Sequence, residues 1–118
     1  MMKNKDDKEL EKSTPHIVVQ IIQYIPDGVL SKTIIKKPTG NITATSFDAG
    51  EELAEKTCPF DTYIQIIDGT AEIQIKGEKF ILKLGDGIII PAHAKHDFSA
   101  VHQFKMISTV IKSGYEDA

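Results

Sequence analysis

Apolar and polar residues alternate over most of the chain in short runs, a two-residue period that is typical of strands with one buried face. The clearest case is the segment 71–76, in which alanine and isoleucine alternate with glutamate, glutamine and lysine. Similar runs recur every eight to twelve residues, which is the spacing of an all-β sandwich or barrel. The predicted strands cover residues 29–35, 41–47, 63–67, 71–76, 80–84, 88–90, 96–101 and 104–111.

Turn-forming residues separate these runs. Asp68-Gly69 predicts a tight hairpin turn, because this residue pair tolerates positive φ angles. Gly77-Glu78 predicts a second hairpin, and the segment 85–87 predicts a bend. Eight to ten short antiparallel strands without a long helix can protect their edges by closing into a double-sheet jelly-roll barrel, which is the fold class that we predict. Ligands usually enter such a barrel through its mouth.

The ends of the chain have a different character. Residues 1–14 interleave lysine with aspartate and glutamate and predict a charged, disordered tail. The barrel domain is predicted over residues 15–112, followed by a short C-terminal tail at 113–118. Within residues 16–25 strand and helix periods overlap, and we predict a short strand followed by a turn of helix that ends at residues 26–28.

Composition narrows the class of protein. A chain of 118 residues has room for one domain, and its net charge of -3 provides no general attraction to nucleic acid or anionic membranes, so neither is an expected partner. The single cysteine cannot form an internal disulfide, and the charged first twelve residues do not resemble a secretory signal. We therefore expect a cytoplasmic protein. Motifs of hydrolases, phosphate-binding loops and zinc fingers do not occur in the sequence.

A first motif resembles that of the cupin family, which has the order Gly, five residues, His, one residue, His, three or four residues, Glu, six residues, Gly. Gly50 and Gly69 have the separation of its two glycines. Lys56 and Cys58 occupy the two histidine positions, and Thr62 occupies the glutamate position. The glycines of this motif are therefore kept and its metal-binding residues are replaced.

The second cupin motif has the order Gly, five residues, Pro, one residue, Gly, two residues, His, three residues, Asn. Gly85, Pro91 and His96 match it at the right spacing, whereas His93 replaces the glycine and Ala100 the asparagine. The resemblance covers about residues 17–111 and implies the cupin barrel, a jelly roll also called the double-stranded β-helix. Shorter stretches are similar to small single-domain bacterial cupins of undefined activity, namely 30–33, 59–61, 65–69, 90–92 and 104–106.

The resemblance implies a weakened metal site. Metal-binding cupins hold a divalent transition metal with three histidines and a carboxylate, a nitrogen and oxygen set suited to such ions. This chain keeps one of the four, His96, and its Lys56 would place an ammonium where the first imidazole would lie. We expect no metal cofactor; an atypical ligand set of His96, Cys58 and His93 is the alternative.

Three functions follow as hypotheses. The first is metal-free binding of a small organic, possibly anionic, molecule at the barrel mouth by Lys56, Cys58, Thr62 and His96. The second is a metal-dependent enzyme of the dioxygenase or isomerase type. The third is metal-free acid-base isomerisation with His96 as general base and Lys56 as the group that stabilises an oxyanion. Catalytic residues are not assigned from the sequence.

Each candidate also has a purely structural interpretation. Lys56 can be an exposed loop lysine, Cys58 a small buried apolar residue and His96 a hydrogen-bonded residue without a ligand. The alternation of Phe98, Phe104 and Met106 predicts core positions rather than cavity lining, and the remaining histidines predict surface positions. Small cupins usually pair, so the resemblance also implies a homodimer, with the apolar stretch 17–25 as the contributing segment.

Overall fold

The computed structural model describes residues 2–6 and 8–115, with side chains described for residues 8–115. Nine strands and one short 3-10 helix, Val18–Gln20, form this part of the chain. The strands are β1 (Met2–Asp6), β2 (Gly28–Lys37), β3 (Gly40–Phe47), β4 (Glu52–Lys56), β5 (Thr62–Ile75), β6 (Glu78–Lys83), β7 (Gly87–Ile90), β8 (His96–Ser99) and β9 (Phe104–Ile111). The nearly all-β architecture confirms the predicted fold class.

The strands pair in the order β1-β2-β3-β9-β5-β8-β4, and β6 and β7 also pair with β5. Two halves of this curled sheet can be distinguished. Sheet A contains β1, β2, β3, β9, the first part of β5, and β7, and sheet B contains β4, β8, the second part of β5, and β6. All pairs are antiparallel except that of β1 with β2. The result is the jelly-roll barrel that the strand spacing predicted.

The prediction of a hairpin turn at Asp68-Gly69 is wrong, because strand β5 runs through both residues. The strand is 14 residues long. Its register with β9 shifts between Ile66 and Asp68, and Gly69 has a φ of 74°. A positive φ in glycine serves a β-bulge as well as a turn. At this bulge β5 leaves its partners in sheet A and joins β6 and β8 in sheet B, so the predicted turn is the corner of the barrel.

Other predicted strands differ from the structure in their bounds. The second hairpin turns at Lys76-Gly77, one residue earlier than predicted, with φ angles of 53° and 81°. Two successive positive φ angles are the signature of the type I′ turn that matches strand twist. Strand β8 ends at Ser99 rather than at residue 101. Strand β4 was not predicted, because four of its five residues are exposed and its sequence has no apolar alternation.

The N-terminal segments lie on the barrel. Within residues 1–14, expected as a disordered tail, Met2–Asp6 instead pairs in parallel with β2. The Glu9 carboxylate accepts a hydrogen bond from the Lys36 backbone N–H at 2.6 Å, which holds the pKa of Glu9 below its usual range. Residues 1, 7 and 116–118 of the predicted tails lie outside the described residues.

The strand expected at the start of segment 16–25 is absent from the structure, whereas the expected helical turn is present as the 3-10 helix. The overlapping strand and helix periods of this short stretch do not distinguish a strand from a segment that packs across a sheet. Ile22 is buried, and the Ser46 hydroxyl donates to the Gln23 carbonyl at 2.8 Å. Segment 16–25 is thus held against β3.

The core lies between the two sheets. Phe47 and Phe104 are fully buried and stack with ring centroids 4.4 Å apart, as expected for the core position predicted for Phe104. Such ring pairs contribute about 0.5–1.5 kcal/mol beyond the burial of their area. Within the described part of the chain, the structure contains no helix of the length and apolar character needed to span a membrane.

Candidate functional site

A cavity of about 240 Å³ lies between the inner faces of sheets A and B. Its wall combines apolar side chains with hydroxyl, amide, thiol, imidazole and ammonium groups. The lining residues are Ser31, Asn41, Thr43, Thr45, Leu53, Lys56, Cys58, Thr62, Ile64, Ile90, His96, Phe98, Met106, Ser108 and Val110. The structure therefore brings together all four residues that the motif spacing predicted: Lys56, Cys58, Thr62 and His96.

Strands β4 and β8 of sheet B hold the charged and ionisable part of the wall. Lys56 lies directly opposite His96 in the ladder, and Leu53 lies opposite Phe98. The register shifts between Leu53 and Lys56, and this irregularity allows both residues to reach the cavity although they are three positions apart. Two positions 40 residues apart in the sequence thus become neighbours through strand pairing.

His96 is buried, with 5% of its surface exposed. Its Nδ1 atom lies 3.0 Å from the Ala94 carbonyl oxygen. Because a carbonyl can only accept, Nδ1 carries the proton, and in the neutral ring Nε2 keeps its lone pair. The edge of the ring faces Phe98, with centroids 5.9 Å apart and an interplanar angle of 84°. This packing holds the imidazole in one orientation.

Two loops at the cavity mouth are tied to each other. The His93 backbone N–H donates to the Cys58 carbonyl at 2.7 Å, and the Ala92 N–H donates to the Asp61 carboxylate at 2.8 Å. Cys58 is half-buried and Thr62 is buried. These bonds hold Cys58 and Asp61 beside the cavity outside the strands, whereas Thr62 is the first residue of β5.

His93 does not share this position. Its side chain is exposed, its φ is 69°, and it is not part of the cavity wall. The alternative metal set of His96, Cys58 and His93 is therefore not assembled at the cavity. Among the described residues there is no group of three or more histidine, cysteine, aspartate or glutamate side chains that could hold a metal ion.

The donor set at the cavity does not fit a three-histidine, one-carboxylate centre. Among the described side chains of the wall, it offers one imidazole, one thiol and the hydroxyl of Thr62 at the positions of the motif. Lys56 supplies an ammonium, which has three donors and no lone pair for a cation. The residues at the motif positions therefore do not form the ligand set of such a centre.

The opposite wall, on sheet A, carries polar residues that the motifs do not include. Asn41, Thr43 and Thr45 alternate on β3 and face the cavity, and Ser108 lies opposite Thr43 on β9. The hydroxyls of Ser31 and Thr45 are buried and lie 3.2 Å apart. The sequence signal for these polar residues was the two-residue period of segment 41–45. This period predicts a strand, but it does not show which face of the strand points into the barrel.

Phe98 and Met106 correct a second expectation. Both are buried, as predicted for core positions, but both also line the cavity, which the sequence analysis had not favoured. In a barrel that encloses space, an inward-facing residue of a strand belongs to the core and to the cavity wall at once. His16 and His102 are exposed, as predicted.

Comparison with known proteins identifies the class. Residues 46–111 match the model of the cupin domain, and this match covers more than half of the chain. The chain belongs to the cupin family. None of the curated proteins matches it.

Several solved structures are similar over nearly the whole chain. A conserved protein of unknown function from Streptococcus pyogenes is 30% identical, with a TM-score of 0.84 over 90% of this chain and 93% of that one. A cupin superfamily protein from Desulfitobacterium hafniense DCB-2 is 27% identical, with a TM-score of 0.83 over 90% and 97%. A Cupin 2 conserved barrel domain protein from Leptotrichia buccalis is 28% identical, with a TM-score of 0.77 over 80% and 46%. The small bacterial cupins are thus the group that this chain resembles.

Proposed function

We propose that this protein binds a small organic anion in its barrel cavity without a metal ion. The observation that carries the proposal is the composition of the sheet B wall, where Lys56 and His96 lie opposite each other in the ladder and both line the cavity. The motif resemblance assigns these two positions to metal ligands in metal-binding cupins. An ammonium attracts a carboxylate or phosphate and repels a divalent cation.

The charge balance of the wall supports the same proposal. Among the described residues that line the cavity there is no aspartate or glutamate, whereas there is one lysine. An anion in this space would contact the Lys56 side chain and no carboxylate of the wall itself. Apolar side chains such as Ile64, Ile90 and Phe98 would pack against its carbon atoms.

The experiment is a titration of the EDTA-treated protein with carboxylates of four to six carbons, followed by amide chemical shifts and calorimetry. We expect shifts at the residues of the cavity wall. Lys56→Met should weaken binding by about fivefold to tenfold, since a charge-assisted hydrogen bond near the surface contributes about 1 kcal/mol. The matched control is Lys83→Met, which removes the same charge from an exposed residue outside the cavity.

Two results would contradict the proposal. One is that no carboxylate shifts the cavity residues. The other is that binding requires an added divalent transition metal, which would support the metal-dependent alternative instead.

A second candidate function is metal-free acid-base catalysis, favoured by the hydrogen bond from Nδ1 of His96 to Ala94. That bond leaves Nε2 as a base, and Lys56, opposite His96 on the neighbouring strand, would stabilise a developing negative charge. Acid-base catalysis differs from binding alone because it requires that a carbon atom of the bound molecule exchanges a proton.

A further inference from the structure

We infer that the ligand is a hydroxylated carboxylate of about four to six carbons, an inference that rests on the proposed anion-binding function and names the chemistry of the ligand. The basis is that the cavity has two chemically different walls. Sheet B contributes Lys56, whose side chain is exposed, and the buried imidazole of His96, whereas sheet A contributes a field of hydroxyl groups. Each wall recognises a different part of one molecule.

The hydroxyl field is organised by strand register. Thr43 and Ser108 are direct neighbours across β3 and β9, and one step further along the same strands Thr45 lies opposite Met106. Ser31 lies opposite Thr45 on β2, so that hydroxyls occupy three adjacent strands. Neighbouring strands lie about 4.8 Å apart, and alternate residues on one strand about 7 Å apart. This spacing is on the scale of a short polyhydroxylated chain.

The chemistry of these groups favours a ligand with hydroxyls of its own. Each serine or threonine hydroxyl has one donor and two acceptor sites, so the Ser31 to Thr45 contact uses only part of their capacity. A cavity hydroxyl that exchanges water for a ligand destabilises the complex unless the ligand supplies a hydrogen-bond partner. Ligand hydroxyls can supply such partners, whereas a hydrocarbon chain cannot.

The size of the cavity limits the length of the ligand. The volume of the cavity is about 240 Å³. This volume lies below the ~300–1,000 Å³ that is usual for drug-sized ligands. It suits a short chain and excludes a nucleotide sugar or a long fatty acid from complete enclosure.

The experiment compares three matched four-carbon probes on the EDTA-treated protein. Threonate has a carboxylate and hydroxyls, butyrate has the carboxylate alone, and threitol has hydroxyls alone. We expect threonate to bind at least tenfold more tightly than either, because a site built to hydrogen-bond hydroxyls rejects analogues that lack them. The six-carbon series of gluconate, hexanoate and sorbitol repeats the comparison at the upper size limit.

Variants of the hydroxyl field provide a second measurement. Combining Thr43→Val with Ser108→Ala should weaken threonate binding about tenfold or more and leave butyrate binding within a factor of two. Thr109→Val is the control, because Thr109 lies between two cavity residues on β9 and is not part of the wall. The probe comparison on the unchanged protein stands even where a variant does not fold.

The outcomes separate the two proposals. If butyrate binds as tightly as threonate and Lys56→Met weakens both, the inference that the ligand carries hydroxyl groups is wrong. The proposed anion-binding function would then still stand. If threitol binds as tightly as threonate, the inference that the ligand carries a carboxylate is wrong. Failure of all probes to shift cavity residues would overturn both proposals.

Discussion

Gly69 lies where strand β5 passes from sheet A to sheet B. A Cβ atom at this position would collide with the Gln103 carbonyl oxygen and lie 2.9 Å from the Phe104 Cα atom. Both are backbone atoms of the neighbouring strand region, so no side-chain rotation can relieve the collision. The residue is required for its φ angle and also for its lack of a side chain.

We predict that Gly69→Ala lowers the free energy of unfolding by about 2 kcal/mol or more, since strain at a positive φ and backbone overlap act together. Urea denaturation measures this change. The control is Gly77→Ala, which also has a positive φ, of 81°, but where a Cβ meets nothing within 4 Å. The control should lose about 1 kcal/mol. Equal losses at both positions would contradict the argument from close approach.

At the scale of residues, the candidate site could be predicted in part from the sequence. Lys56, Cys58, Thr62 and His96 were found because the family motif records spacing along the chain, and the strands convert this spacing into shared cavity wall. His93, which replaces the glycine of the second motif, was a candidate for the alternative metal set. Its backbone bond to Cys58 leaves the side chain exposed, which spacing alone does not reveal.

At the scale of elements, segment 16–25 is held against sheet A by a partly buried polar network. Lys105 on β9 is 6% exposed, and its Nζ donates to the Val19 carbonyl at 2.8 Å. The same Nζ lies 4.9 Å from the centre of the Tyr24 ring, and the Tyr24 hydroxyl donates to the Asp68 carboxylate at 2.6 Å. Burial, followed by the hydrogen bond to Asp68, raises the pKa of Tyr24 well above its usual value.

This raised pKa predicts a pH dependence of stability. A proton held more tightly in the folded state stabilises it fully below the usual tyrosine pKa near 10 and progressively less as the pH rises toward the folded-state pKa. We expect the free energy of unfolding to fall above about pH 10, and to fall less in Tyr24→Phe than in the unchanged protein. Chemical denaturation at about pH 9 and about pH 11 checks this difference.

Tyr24→Phe should also lose about 1–2 kcal/mol at neutral pH, because it removes the hydrogen bond to a charged acceptor. Tyr63→Phe is the matched control, since 45% of Tyr63 is exposed. An alkaline fall that is unchanged in Tyr24→Phe would show that the network does not account for it.

At the scale of the whole molecule, the homodimer expected from the resemblance stays a prediction. The structure narrows which part of segment 17–25 is available to a second copy. Ile22 is buried within the chain, whereas Ile17 and Val18 are 61% and 45% exposed.

We predict that light scattering gives twice the mass of one chain, and that Ile17→Lys shifts the equilibrium toward the monomer because it places a charge in an apolar contact. Lys12→Met, a change at an exposed residue before this segment, should leave the mass unchanged. A monomeric mass for the unchanged protein at all concentrations would contradict the prediction.

Short-range pattern was sufficient for the fold class, for most strands and for four residues of the cavity wall. Alternation, turn residues and motif spacing report the local environment of each residue, and the strands predicted near 29–35, 41–47, 88–90 and 104–111 agree with β2, β3, β7 and β9. The pairing of strands distant in sequence determined the other features of the fold and of the cavity. The Asp68-Gly69 pair fits a hairpin and a bulge equally well until β9 is seen beside it, and the polar alternation of 41–45 fits an inside or an outside face. The hydroxyl wall belongs to this second category, because the inward face of a strand depends on what closes over it.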